Sequence, residues 1–308
     1  MKTVVFAYHN MGLAGLEALV RNGFQIQAVF THRDDPRENC WFGSVADWAS
    51  AKGIPVFSPE NVNRPEEIER VRALAPEAIF SFYYRHLICQ SILDLPAAGA
   101  FNLHGSFLPA YRGRAPINWV LVQGEEKTGV TLHYMVKKAD AGPIVGQRPV
   151  PIDRRDKALT LYGKMCGAAG VLLDDLLPLI KAGRTPCHPQ DESRASVCRG
   201  RRPEDGRIDW QWPAERIYNL IRAVTDPYPG AFALLPDGKK LMIWWGMPKD
   251  GRESSGRPGE VFLREGRVEV QAGEGCLVLE DVETDGGRLS NPSDIYRFFK
   301  IEEGVLLR

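Results

Sequence analysis

The chain is poor in closely spaced cysteines. Its 308 residues hold six, Cys40, Cys89, Cys166, Cys187, Cys198 and Cys276. None forms a C-x-x-C pair, so neither a zinc site nor a dithiol motif is expected. No apolar run approaches the roughly 20 residues that span a bilayer, so no membrane insertion is expected. The apolar opening Met1–Ala7 turns polar at Tyr8-His9-Asn10, too short for a signal peptide's apolar region and cleavage site. A cytoplasmic location with reduced thiols is therefore expected. Net charge is absent too, with 39 Lys+Arg against 39 Asp+Glu. A dedicated nucleic-acid binder would lean on a net basic surface, so no nucleic-acid partner is expected. The dinucleotide fingerprint G-x-G-x-x-G is also missing. After the first apolar run the chain reads His9-Asn10-Met11-Gly12-Leu13-Ala14-Gly15, without the first tight-turn glycine, which argues against a nicotinamide cofactor. Gly12 stays a candidate for the approach of a helix N-terminus to a substrate phosphate. An ordinary strand–helix turn accounts for it equally well. There is no internal repeat and no low-complexity tract.

What is present fits a soluble globular protein, with 44% apolar and 25% charged residues. The length suits one large domain and a smaller one. Strand signals at Thr3–Tyr8, Gln25–Thr31, Ile54–Phe57, Ala78–Phe82 and Ala100–His104 alternate with helical stretches at Leu13–Asn22, Ser44–Lys52 and Pro65–Leu74. Gly129–Val136 continues the sheet, and Leu159–Lys181 reads as a long helix. This pattern predicts an α/β fold, a Rossmann-like, mostly parallel sheet with helices on both faces, over residues 1–190. Residues 191–207 are polar and Arg-rich and read as a linker. Residues 208–308 hold a helix near Ala214–Val224 and several short strands between Gly-containing turns, which predicts a small barrel-like (OB-like) domain. The tail Asn291–Arg308 is weakly helical.

Ala100–His104 carries the main chemical signal. Side chains at i and i+2 of a strand share a side, so Asn102 projects beside His104. A single Asn-x-His is more often ordinary hydrogen bonding than catalysis. Downstream, Lys137-Lys138-Ala139-Asp140-Ala141-Gly142 supplies a turn with a carboxylate, and His133 lies on a strand close to it. A carboxylate beside His104 is expected to orient it and to raise its pKa above about 6.5. Trp41, Tyr83 and Tyr84 fit either a core or the wall of a pocket.

The run FNLHGSFLPAYRGRAPINW, with GVTLHYMVKKADAGPIV after it, resembles the 10-formyltetrahydrofolate-dependent formyltransferases. The resemblance begins at MKTVVFAYHNMG, continues through IFSFYYRHLI and returns in IRAVTDPYPGAF. It covers residues 1–235 well and the rest loosely. Within that family the chain is most similar to the formyltransferase half of the bifunctional enzyme acting on UDP-4-amino-4-deoxy-L-arabinose in lipid A modification and polymyxin resistance. In that enzyme a dehydrogenase half is fused to it, whereas this sequence stops at Arg308, as either a stand-alone enzyme or an excised half would.

The resemblance implies transfer of a formyl group from 10-formyltetrahydrofolate, a co-substrate, to an amine, without a metal. Asn102 would stabilise the oxyanion, His104 would accept the amine's proton and Asp140 would support His104. The resemblance also implies that His86, Leu87 and Ile88 read the pterin edge, that Arg114 holds the folate and that Val136, Lys137, Lys138, Ala139 and Asp140 face it. A plain strand–helix connection is the competing reading of residues 86–88, and solvated loop charge that of Arg114. Arg201, Arg222 and Tyr228 join Gly12 as candidate contacts to a nucleotide-sugar acceptor. The segment Thr31–Ser44 is short and nearly charge-balanced, which disfavours tRNA. A dTDP-linked amino sugar, a methionyl-tRNA acceptor and a non-catalytic folate-binding module stay as alternatives, and oligomerisation is left open.

Overall fold

The computed structural model describes residues 1–35, 39–249, 256–301 and 305–308. Pro36, Arg37 and Glu38, part of the short charge-balanced segment, lie outside the described residues. The chain divides into two compact units. The first comprises residues 1–116, 127–152 and 162–199, and the second comprises residues 117–126, 153–161 and 200–308.

The first unit is built on β1 (Lys2–Ala7), α1 (His9–Arg21), β2 (Gln25–Phe30), α2 (Val45–Ser50), β3 (Val56–Phe57), α3 (Pro65–Ala73), β4 (Ala78–Phe82), α4 (Gln90–Leu93) and β5 (Ala100–His104). Then come β6 (Arg112–Gly113), α5 (Pro116–Val122), which from Ile117 on belongs to the second unit, β7 (Lys127–Tyr134), β8 (Ile144–Pro151), α6 (Ala158–Lys181), which belongs to the first unit from Tyr162 on, and β9 (Val197–Cys198). The large sheet runs β3-β2-β1-β4-β5-β7-β8. Its first five strands are parallel, whereas β7 pairs antiparallel with both β5 and β8. All of β4 and all of β1 after Lys2 is buried, as strands covered on both faces must be. One face packs Val4, Phe6, Ala28, Phe30, Ile79 and Ala100 against Val71, Ile92 and Leu93. The same face turns polar at Asn102 and His104. A two-stranded parallel pair, β6–β9, joins residues 112–113 to 197–198. The polar stretch after residue 190 is thus partly folded into the first unit, because Val197 and Cys198 find a backbone partner 85 positions earlier.

The second unit holds α7 (Ala214–Val224), β10 (Ala231–Leu234), β11 (Lys240–Lys249), β12 (Val261–Arg264), β13 (Arg267–Gln271), β14 (Cys276–Thr284), β15 (Gly287–Leu289) and α8 (Pro292–Ile301). Its antiparallel sheet runs β10-β11-β14-β13-β12, with β15 on β14. The last four residues are extended and bond to both outer strands. Val305 O and the Leu307 N–H pair with Val261 and Gly259 beside β12, while Arg308 exchanges two backbone bonds with Leu234 of β10. That tail turns the sheet into a closed path, which is what a small barrel requires.

Gly12 and Gly15 are not in a turn. His9 takes a left-handed φ of 68° and α1 starts at once, so both glycines are buried inside the helix. They permit close packing: a Cβ on Gly15 would penetrate the Phe82 ring, and one on Gly12 would press on Ala7 and Val45. Gly15→Ala is expected to cost about 1–3 kcal/mol through overpacking, despite the better helix propensity of alanine. A urea midpoint that falls by the corresponding amount checks this.

Candidate active site

Asn102 and His104 share one side of β5, while Phe101 and Leu103 are buried on the other. Antiparallel pairing sets His133 of β7 directly across from Asn102. The chain then turns through Lys137–Gly142 and brings Asp140 to the same place. Asp140 sits at a left-handed φ of 52°, a conformation that costs energy for a non-glycine residue and marks functional loops. Gly142, two residues on, has no room for a Cβ beside the Tyr134 carbonyl.

The carboxylate of Asp140 is the hub. Its Oδ2 accepts from the Gly113 N–H at 2.9 Å. Its Oδ1 accepts from Asn102 Nδ2 at 3.3 Å and lies 3.5 Å from both His104 Nδ1 and His133 Nε2. Carbonyl contacts define the tautomers of the two imidazoles. His104 Nε2 is 2.8 Å from Tyr111 O, and His133 Nδ1 is 2.8 Å from Tyr134 O. A carbonyl only accepts, so these nitrogens carry the protons when the rings are neutral. The His104 lone pair is then on Nδ1, facing Asp140. The His133 lone pair is on Nε2, where it accepts from Asn102 Nδ2 at 3.2 Å. Both Asn102 amide protons are therefore committed within the site.

Burial lowers the His104 pKa below its ordinary value, and the nearby Asp140 charge offsets only part of this. The expectation of a raised His104 pKa is corrected: full desolvation of the imidazolium outweighs one carboxylate neighbour. Burial alone would raise the Asp140 pKa. The facing His104, His133 and the Gly113 N–H outweigh that, and the carboxyl is held well below the usual carboxylate range. A depressed carboxylate next to a neutral imidazole is a base poised to receive a proton and to stabilise it afterwards.

A second cluster forms at the end of β1. The His9 ring stacks on Phe42 with centroids 3.6 Å apart and has Trp41, Tyr83 and Tyr162 around it. Tyr162 OH accepts from the Met11 N–H at 2.8 Å and is hydrogen-bonded to His9 Nδ1 at 2.9 Å. Trp41 and Tyr83 thus belong to this cluster, whereas Tyr84 joins the core and stacks on His32.

The remaining sequence candidates are dispersed. His86 and Leu87 are exposed and Ile88 is half-buried. Asn63 pins this segment by bonding Leu87 O at 2.9 Å and the Cys89 N–H at 2.8 Å. Arg114 is exposed, as are Val136, Lys137, Lys138 and Ala139. Gly12 is buried in α1. In the second unit, Arg222 is buried and turned inward: it bonds Asn219 Oδ1 at 2.8 Å and Asp153 O at 3.3 Å. A desolvated guanidinium needs such partners. Arg201 lies over the Trp119 ring and donates to Asp205 O at 2.9 Å. Tyr228 is half-buried, and desolvation pushes its phenol up to about 12. Sequence reasoning gave His133 too little weight and missed the Tyr111 carbonyl, the Gly113 N–H and Gln190. Only His133 carried a signal, its strand parity with Asn102.

Burial, aided by the Arg85 charge, lowers the His9 pKa to about 3 from an ordinary 6.5. A histidine kept neutral contributes stability that is full above pH 6.5 and is lost as pH falls from there toward 3. Between pH 6.5 and 5 this group should cost up to about 2 kcal/mol. His9→Asn keeps a residue that tolerates the left-handed backbone and should flatten the fall in urea midpoint across that interval. An unchanged fall would contradict the assignment.

Comparison with known proteins bears on this geometry. Residues 1–173 match the formyl transferase family and residues 201–300 match its C-terminal domain. The N-formyltransferase from Helicobacter canadensis, solved with folinic acid and dTDP-3-aminofucose, is 21% identical, with a TM-score of 0.70 over 91% of this chain and 98% of that one. The sugar 3N-formyltransferase WlaRD, solved with dTDP and 5-N-formyl-THF, is 20% identical, with a TM-score of 0.69 over 91% and 96%. The methionyl-tRNA formyltransferase from Clostridium thermocellum is 18% identical, with a TM-score of 0.56 over 82% and 95%. At these identities the likeness establishes the shared fold, and sugar and tRNA enzymes both have it. Together the two family matches, over most of the chain, show that it belongs to the formyl transferases.

Proposed function

We propose that the chain transfers the formyl group of 10-formyltetrahydrofolate to the amino group of a nucleotide-linked amino sugar. The observation that carries this reading is the convergence of Asn102 and His104 on one carboxylate oxygen of Asp140. The amine attacks the formyl carbon and makes a tetrahedral oxyanion, and its proton passes to His104 Nδ1. The imidazolium then faces Asp140 Oδ1 and competes for it with the Asn102 N–H. An amide proton of Asn102 is released toward the oxyanion as the negative charge develops, when such a donor matters most. Collapse of the intermediate breaks the bond to the folate nitrogen, which takes up the proton held on His104 and leaves as tetrahydrofolate. His86, Leu87 and Ile88, Arg114 and Val136–Asp140 are the residues to hold the folate. Leu87 and Val136 are large apolar side chains left 70% and 41% exposed, which fits a flat, partly apolar ligand better than bare solvent.

For the acceptor, FAYHNMG and FSFYYRHLI favour UDP-4-amino-4-deoxy-L-arabinose, and zero net charge disfavours tRNA. A dTDP-linked amino sugar is the second reading, since two similar structures were solved with dTDP or a dTDP sugar. Mass spectrometry on a panel of UDP- and dTDP-amino sugars, with 10-formyltetrahydrofolate, should find formylated product from at least one. Its kcat/KM should greatly exceed that for initiator methionyl-tRNA, and the reverse order would overturn the sugar assignment.

Asn102→Ala should lower kcat on the order of a hundredfold or more while folate binding stays near wild type. Collapse of binding with kcat preserved would make Asn102 an anchor instead. Asp140→Asn removes the charge that raises the His104 pKa. The acidic limb of the pH–rate profile should therefore move to lower pH, and the maximal rate should fall. A limb that stays in place would show that Asp140 does not act on the titrating base.

A further inference from the structure

We infer that residues Gln190–Cys198 form a strap that positions both His104 and Asp140. The inference rests on the reading of the site given above. The strap runs along Pro109–Arg114 and grips it repeatedly. Ser196 N donates to Pro109 O, and Ser196 Oγ accepts from the Tyr111 N–H at 2.8 Å. Arg112 N donates to Ser196 O, Arg114 N donates to Cys198 O, and β6 pairs with β9. Two groups on the gripped segment matter to the site. The Tyr111 carbonyl fixes the proton of His104 on Nε2, and the Gly113 N–H holds Asp140 Oδ2.

The other end of the strap reaches Asp140 through its backbone. Gln190 Nε2 donates to Asp140 O at 2.8 Å and Gly142 O at 2.7 Å, bracketing the strained residue. The Gln190 amide is itself aimed by Arg112, whose Nε and Nη2 donate to Gln190 Oε1 at 3.1 and 2.7 Å. Arg112 is 2% exposed, and Glu192 completes its partners. Glu192 also takes Lys138 Nζ at 3.1 Å, tying down the Asp140 loop at a third point. A residue held at φ 52° persists only where its surroundings over-determine it, and Gln190 supplies two of the bonds that do so. Gln190 touches Asp140 only through its backbone carbonyl and Ser196 bonds only the Pro109–Arg114 backbone, so they are positioning residues.

The test uses Gln190→Met, which keeps length and neutrality but loses both donors, and Ser196→Ala, a milder change at an exposed position. His104→Ala runs beside them. Small misplacement of reacting groups can cost up to about a hundredfold in rate. Gln190→Met should therefore lower kcat about ten- to a hundredfold with the acceptor KM unchanged. In Ser196→Ala, nitrogen-15 histidine spectra should show the Nε2–H tautomer of His104 losing its dominance, with a smaller fall in kcat. Wild-type kcat in the strap variants beside an inactive His104→Ala would overturn the strap alone. Full activity in His104→Ala would overturn the reading of the site, and the strap with it. If Gln190→Met does not fold, Ser196→Ala decides: an unchanged His104 spectrum and kcat reject the proposal.

Discussion

The constraint on which the site depends is the placement of one carboxylate, that of Asp140. A buried charge survives only where donors surround it. Here the Gly113 N–H donates to one oxygen and the Asn102 amide to the other, with the two imidazole rings 3.5 Å from it. Every element nearby serves that arrangement. The β5 and β7 register presents Asn102, His104 and His133 on one side. The tight passage at Gly142 turns the chain back, and the Tyr111 and Tyr134 carbonyls decide which imidazole nitrogens are bare. Sharing Oδ1 among several groups couples them, so a proton gained by one changes what the others can donate.

Burial and charge act against each other on His104, and burial prevails. A base with a lowered pKa is neutral over more of the physiological range and so is ready to accept a proton. The cost is weaker proton affinity, which Asp140 partly restores. At His9 the Arg85 charge acts in the same direction as burial, and there the pKa drops to about 3.

Much of the fold was legible because it rests on local pattern. The five parallel strands announced themselves through apolar runs, and Asn102 with His104 through period-two spacing. Asp140 was found as a carboxylate in a turn after a strand. Signals that depend on distant pairing were not legible. Gln190 is the last residue before the stretch 191–207 that reads as a linker, and only the β6–β9 pairing reveals that the chain beyond it, to Cys198, packs back on the first unit. Gly12 looked like a turn glycine because nothing in the sequence shows that His9 takes a positive φ and starts the helix early. Arg222 looked available because its partner Asp153 lies 69 positions away.

The closed barrel of the second unit has a consequence for aggregation. Its seam is made by Val305–Arg308, which cover β12 on one side and reach Leu234 of β10 on the other. A sheet edge with unpaired N–H and C=O groups is a template for another chain. A chain cut before Val305, by a protease or a premature stop, would bare two such edges together while losing two buried side chains, Val305 and Leu307. Four residues far along the sequence from Asn102 and His104 thus act as the unit's protection against self-association.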